Sequence, residues 1–263
     1  MRHSLYAFIL LTLVACSSNA PEDNKFTADE LYNQAMTAMD DHLYDQAIKK
    51  FEKIQANYPY GRYAQQALME IAYANYKQGE PAPALSAADR FIKQYPNNIH
   101  LDYVFYLKGL INFDENLAGA MMSISNQDPS ERDPKSLHES FDTFKELVTR
   151  FPDSQYCEDA RLRMQYLVNT LAGSDIHVAS YYLRRGAYVA ALNRAKIVLI
   201  DYPQSPLTRD ALQIMVQAYD ALGMNELRDD AKRVLKFNGN KDGSLPVSLL
   251  AARRNTVWWR FWE

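Results

Sequence analysis

An all-α fold built from stacked helix–turn–helix units is predicted by three observations. Glycine is scarce, 9 in 263 residues against 18 tyrosines, the reverse of the glycine-rich turns expected of a parallel α/β enzyme. An aromatic–proline pair recurs four times, as Tyr58-Pro59, Tyr95-Pro96, Phe151-Pro152 and Tyr202-Pro203, and each closes an amphipathic stretch of helical period. Around each pair the same residue classes return at fixed distances. Twelve residues before the prolines stand Ala47, Ala84, Ser140 and Ala191, five before stand Ile54, Phe91, Leu147 and Val198, and eight after stand Ala67, Val104, Ala160 and Ala211. Twenty-four before three of them stand Ala35, Ala72 and Ala179. Small residues recur where two helices must approach closely, and large apolar ones where side chains fill the groove between them. Composition agrees: 48% apolar and 23% charged residues exclude wholesale disorder. A formal charge of −3 supplies no general attraction to DNA or RNA, so no nucleic-acid partner is expected.

The first element, residues 1–15, reads as a lipoprotein signal peptide. Arg2-His3 forms a short basic start, and Leu5 to Val14 an apolar run of ten residues, half the ~20 that span a bilayer. It ends in Leu13-Val14-Ala15-Cys16, which resembles the bacterial lipobox, in which the cysteine is acylated and becomes the new N-terminus. Residues 16–26 follow as a lipidated polar tether beginning Ser17-Ser18-Asn19-Ala20-Pro21. Ser17 is not the aspartate that favours inner-membrane retention in enteric-type sorting. The expected address is therefore the inner leaflet of the outer membrane, on the periplasmic face, with three acyl chains as the anchor. Only Cys157 remains beside Cys16, so no intramolecular disulfide is expected, and Cys157 reads as a small buried hydrophobe.

The helical units follow. The period and register are those of the tetratricopeptide repeat, a helix–turn–helix of about 34 residues whose second helix ends at a proline, and about five units form the expected superhelix. Residues 27–98 hold units one and two; residues 99–238 hold units three to five. The prolines are 37, 56 and 51 residues apart, so the array is interrupted twice. In unit three the first helix is expected from about Leu101 to Asn116, and residues 117–134 as a loop. In unit four, Ser154 to about Leu183 exceeds one repeat helix and predicts a long helix, bent or continuous, with Gly173-Ser174-Asp175 as the place for a kink. Unit five runs from Leu207 to about Phe237, with Gly223 at its turn and Leu227, Ala231 and Val234 on its inner face. Residues 239–263 form a basic aromatic tail holding Trp258, Trp259 and Trp262 with Arg253, Arg254 and Arg260, a composition suited to docking on a neighbouring subunit or a membrane surface.

Catalysis is not expected. His42, His100, His138 and His177 make no His-x-x-x-His or Glu-x-x-His pair and read as ordinary histidines, and nucleophile elbow, phosphate loop and paired cysteines are missing from the sequence. Glu139, Asp142, Glu146 and Asp175 read as acids on solvated helix faces rather than a glycan-cleaving pair. No cofactor or metal is expected. Tyrosines cluster in the first two units, at Tyr58, Tyr60, Tyr63, Tyr73 and Tyr76, with Arg62, Arg90 and Lys93 nearby. Tyr58 and Tyr76 read equally as packing residues. Tyr60 and Tyr63 stand on a turn where no helical period requires them, and point to binding.

Several stretches go beyond a generic repeat: Asn57-Tyr58-Pro59-Tyr60-Gly61-Arg62-Tyr63, Asp89-Arg90-Phe91-Ile92, Asp102 to Leu110, Arg132-Asp133-Pro134, Tyr181-Tyr182-Leu183-Arg184-Arg185-Gly186-Ala187 and Asn193-Arg194. From Cys16 to about Asn238 the chain resembles the BamD family, also called YfiO or ComL, the lipoproteins of the outer-membrane β-barrel assembly complex. The stretch after Gly239 departs from the family's typical pattern. The resemblance implies a non-catalytic scaffold in which the N-terminal repeats, through Tyr58, Tyr60, Arg62, Tyr63 and Arg90, bind the C-terminal β-signal of unfolded outer-membrane proteins. It also implies that the C-terminal repeats dock on the last periplasmic domain of the barrel protein BamA, with Arg194 at the family position that pairs with an acidic BamA residue, alongside other assembly lipoproteins. From sequence spacing, Arg194 has no partner on its own helix, because Asp201 is seven residues on. Another outer-membrane repeat lipoprotein, a pilotin or a cell-wall coordination factor, is the alternative.

Overall fold

The computed structural model describes residues 26–122 and 134–237; the signal peptide, Cys16, the tether up to residue 25, most of the interruption and the aromatic tail lie outside them. Among the described residues the fold is all α, ten helices and no strand. They are α1 (Ala28–Asp40), α2 (Tyr44–Asn57), α3 (Arg62–Gln78), α4 (Pro81–Gln94), α5 (Leu101–Met122), α6 (Lys135–Arg150), α7 (Cys157–Arg184), α8 (Tyr188–Asp201), α9 (Thr208–Ala221) and α10 (Asn225–Phe237). Each packs on its neighbour in sequence within two compact units, residues up to 97 and residues from 98.

The register read from the sequence is the register of the core. Ala35, Ala47, Ala67, Ala72, Ala84, Val104, Ser140, Ala160, Ala179, Ala191 and Ala211, with Ile54, Phe91, Leu147 and Val198, are all fully or almost fully buried. The aromatic–proline pairs end their helices in one way. Tyr58, Tyr95, Phe151 and Tyr202 have φ between −130° and −125° and ψ between 49° and 62°, and each donates its N–H to the carbonyl four residues back. The proline behind each disfavours the helical conformation at the residue before it, and the chain leaves all four helices through the same backbone conformation. The turns inside the units also repeat: Gly79, Gly186 and Gly223 have φ of 70–75°, and His42 stands at the corresponding place with φ 58°. An L residue rarely adopts this conformation. His42 is thus a turn residue rather than an ordinary helix histidine, and its distance to Pro59 matches that of Gly79 to Pro96.

The first unit starts at a capping box. Glu30 N–H donates to the Thr27 hydroxyl at 3.2 Å, and Thr27 N–H to the Glu30 carboxylate at 2.8 Å, satisfying donors that the helix leaves open.

Three expectations for residues 99–238 are corrected or decided. The interruption does not begin at residue 117, because α5 continues to Met122. Leu117-Ala118-Gly119-Ala120-Met121-Met122 is mostly strong helix formers, and one glycine costs about 1 kcal/mol without ending a helix. Helix α7 is continuous for 28 residues through Gly173-Ser174-Asp175. It pairs first with α6 and then with α8, and the buried Ala172 and Ala179 carry it through that change of partner. In α10 only Ala231 is buried; Leu227 and Val234 are each 47% exposed, because among the described residues no helix follows α10 to cover that side.

Helices α5 and α6 approach closely at Gly109. A Cβ there would lie 2.4 Å from the fully buried Phe144 ring, and Ser140 Oγ donates to the Gly109 carbonyl at 2.9 Å. Gly109→Ala is expected to destabilise the protein by about 1–3 kcal/mol through overpacking, against the usual small gain for alanine in a helix. Urea denaturation followed by circular dichroism measures it, and an unchanged midpoint would show that the two helices can slide apart.

Candidate functional site

Two regions carry the residues singled out above, one in each compact unit. In the first, Gly61 adopts φ 101° ahead of α3, a conformation only glycine takes easily, and so delivers Arg62 and Tyr63 to the first turn of that helix. Tyr63 packs its ring 5.6 Å from Tyr32, donates its hydroxyl to the Asp29 carboxylate of α1, and accepts from Arg62 Nη2 at 2.8 Å. The Arg62 guanidinium lies over the Tyr63 ring, 4.7 Å from its centroid. Tyr32 also touches Phe51 at 5.7 Å, so the group is rooted in the core. Glu70 lies close to Tyr32; burial raises its pKa, and raises that of Tyr32 as well.

The other named residues have partners of their own or stand in solvent. Tyr58 donates its hydroxyl to the Phe26 carbonyl at 2.9 Å and pins the entry to α1. Arg90 donates to Gln55 Oε1 at 2.8 Å, joining α4 to α2, and Gln55 Nε2 donates in turn to the Ala64 carbonyl at 3.4 Å in the first turn of α3, while Asp29 and Tyr63 join α1 to α3. Tyr73 and Tyr76 form a ring pair at 6.4 Å, and Lys93 is exposed. Tyr60 is 91% exposed, the most solvent-facing large side chain of the group. Tyr63→Phe is therefore expected to lower stability by about 1 kcal/mol, the hydroxyl's bond to Asp29 being lost, while Tyr60→Ala leaves the melting temperature unchanged. Thermal denaturation of the two variants checks both, and equal melting of all three proteins would mean that the Asp29 bond adds nothing.

In the second unit a cavity of about 760 Å³ opens beside α7 and α8, lined among others by His138, Asp175, His177, Tyr181, Tyr182 and Arg194. Arg194 does have an intramolecular partner, on the preceding helix: its Nη1 donates to Asp175 Oδ1 at 3.0 Å. Asp175 is 14% exposed in its side chain and Arg194 46%. Burial raises the Asp175 pKa; Arg194 opposes that rise, and so does His138 more weakly. Tyr202, in the same wall, is pushed up to about 12 by burial and then by the charges of Asp175 and Asp201. Tyr181 and Tyr182 are edge to face at 5.8 Å, and Arg185 caps the Tyr181 ring at 5.5 Å. Tyr181 and Tyr182 of the stretch Tyr181–Ala187 thus line the cavity, as does Pro134 of Arg132-Asp133-Pro134 at the start of α6. Sequence reasoning missed Asp175 and Asp29 as partners. They sit 19 and 34 residues from Arg194 and Tyr63, beyond any intrahelical spacing rule. Cys157 is buried, its thiol against the Phe151 carbonyl at 3.0 Å.

An all-helical array with tetratricopeptide register, bearing an exposed aromatic turn in one unit and a cavity lined by aromatic and charged side chains in the other, defines a helical repeat protein with surfaces suited to binding other proteins. Residues 24–234 match the YfiO family, described as outer membrane lipoproteins, and the chain belongs to that family. It is 36% identical over 260 residues to the outer membrane protein assembly factor BamD of Neisseria meningitidis, covering 96% of each chain. It is 38% identical over 234 residues to the BamD of Xylella fastidiosa, covering 89% of this chain and 80% of that one, and 34% identical over 229 residues to that of Vibrio cholerae, covering 87% and 95%. The Neisseria match leaves only about ten residues of this chain uncovered, fewer than residues 239–263 contain, so the similarity runs into the tail. Among the described residues no helix is long and apolar enough to cross a membrane.

Proposed function

We propose that this chain is a non-catalytic scaffold and substrate-recognition subunit of outer-membrane β-barrel assembly, held on the periplasmic face of the outer membrane by acylated Cys16. Its relatives are outer membrane protein assembly factors across nearly their full length, which supports the general role. The observation that carries the docking surface is Arg194. The guanidinium lines an open cavity, is 46% exposed, and commits one N–H to Asp175 out of the five it carries. An acidic residue on the last periplasmic domain of BamA is its natural counterpart, and the tyrosines lining the cavity supply the rigid apolar contacts common at interface hot spots. In the first unit, exposed Tyr60 beside the Arg62–Tyr63 pair presents an aromatic face and a cation to a β-signal, which ends in an aromatic residue and a carboxylate.

Arg194→Glu is expected to weaken binding of a BamA periplasmic fragment by roughly 2–5 kcal/mol, with unchanged circular dichroism. Because the introduced carboxylate would also face Asp175, Arg194→Gln serves as the milder companion and weakens binding less. A pull-down at moderate salt with equal recovery of all forms would remove Arg194 from the interface.

Tyr60→Ala is expected to weaken a labelled β-signal peptide by roughly 1–3 kcal/mol in fluorescence anisotropy and to leave BamA binding intact. Adding Tyr63→Ala weakens the peptide further. Equal binding of a scrambled peptide of the same composition would place recognition elsewhere.

Cys16→Ala is expected to release the protein from the outer membrane into a soluble or uncleaved periplasmic form, since three acyl chains supply the anchor. Flotation of the variant with outer membranes in cells lacking the partners would defeat the lipid-anchor reading.

A further inference from the structure

The docking reading uses Arg194 and gives Asp175 no part. Yet Asp175 is the costlier of the two to place where it is. Its carboxylate is 14% exposed, and both burial and the nearby Asp201 charge disfavour ionisation. Packing does not require it. The contact between α7 and α8 is made by Ala172, Ala179, Ala191, Ala195 and Val198, all fully buried, while the ion pair lies outside that core in the cavity wall. A buried ion pair is no better than a well-packed apolar pair at holding two helices together. What a buried carboxylate does supply is direction. Arginine has a long side chain with many rotamers, and one anchored N–H removes most of that freedom while the rest of the planar fork stays available. The bond spans two helices, from the middle of α7 to the first half of α8, so the guanidinium is tied to a second rigid element and not only to its own backbone.

We propose that Asp175 is a positioning residue: it holds the Arg194 guanidinium at the cavity wall so that the unused donors meet a carboxylate of the docking partner, completing an acid–base–acid row whose third member the partner supplies. The segment that fits is an acidic side chain next to an aromatic or branched apolar one, because Val178, Tyr181 and Tyr182 line the cavity together with the basic His138, His177 and Arg184. The inference rests on the reading that Arg194 docks a partner.

Its test uses the full lipoprotein, the BamA periplasmic fragment as probe, and three variants measured beside Arg194→Glu for affinity and thermal melting. Asp175→Ala is expected to weaken binding about 2- to 10-fold, the cost of ordering one rotamer-rich side chain at an interface. Asp175→Asn keeps an acceptor oxygen in place and is expected to bind within about twofold of wild type, no more than the lower end of that cost. The exchange Asp175→Arg with Arg194→Asp restores opposite charges across α7 and α8 but turns the outward charge negative; it is expected to bind no better than Arg194→Glu. A merely structural pair would give the opposite pattern, with the exchange recovering affinity along with melting temperature. Wild-type or tighter binding by Asp175→Ala, or asparagine as damaging as alanine, would overturn the proposal while Arg194→Glu still weakens the complex. Should the exchange variant fail to fold, the alanine and asparagine pair decides alone. Wild-type binding by Arg194→Glu would instead bring down the docking reading itself.

Discussion

Paired helices in this chain touch at small residues, and the rest of the structure depends on how closely they can do so. Alanine or serine at the register positions lets two backbones approach until large side chains from both sides fill the remaining groove, and interiors packed to that density respond to a single added carbon. At Gly109 even alanine is too large, because the Phe144 ring already occupies the space. The aromatic–proline ends act on the same constraint from outside the helix. They stop each second helix with one backbone geometry, so that every turn out of a second helix starts alike. Faces not used in pairing remain for solvent and for partners.

The charges divide by burial. Lys135 and Glu139 at 3.8 Å, 76% and 49% exposed, illustrate a surface pair screened by water and worth a fraction of a kilocalorie. The Asp175–Arg194 pair is of another kind. One partner is desolvated and the other is not, so the carboxylate bears the cost of burial and the guanidinium keeps its access to solvent. That asymmetry suits a cation presented outward from a fixed base. The aromatic turn of the first unit has a related division: Tyr63 is tied by its hydroxyl and ring to α1, while Tyr60, three residues before it, is tied to nothing in the described structure and stands in solvent.

Long helix α7 shows how a repeat array accommodates a change of spacing. Its first half completes one pairing with α6 and its second half begins another with α8, without a break at Gly173. A glycine within a helix lowers its stability but does not end it when both flanks are packed, and Leu171 and Ala172 are both buried. The cavity that holds Arg194 opens beside this second half, which makes the extra helix length the element that positions the site.

Much was legible in the sequence alone, and for a physical reason. Helix pairing in a repeat is local: each small residue meets a neighbour within one unit, so the period of apolar and small residues, the prolines and the turn glycines predicted the all-α architecture and the buried register positions. Side-chain partners were not local. Asp175 lies 19 residues before Arg194 and Asp29 lies 34 before Tyr63, and both are brought into contact only when helices from different turns of the chain pack. The same holds for α5, whose continuation to Met122 overrode a glycine, for Leu227 and Val234, whose apolar spacing promised burial, and for Arg90, which meets Gln55 of another helix, 35 residues before it. Periodicity tells which side of a helix is apolar; only tertiary packing decides whether anything comes to cover it, and which charge an arginine meets first.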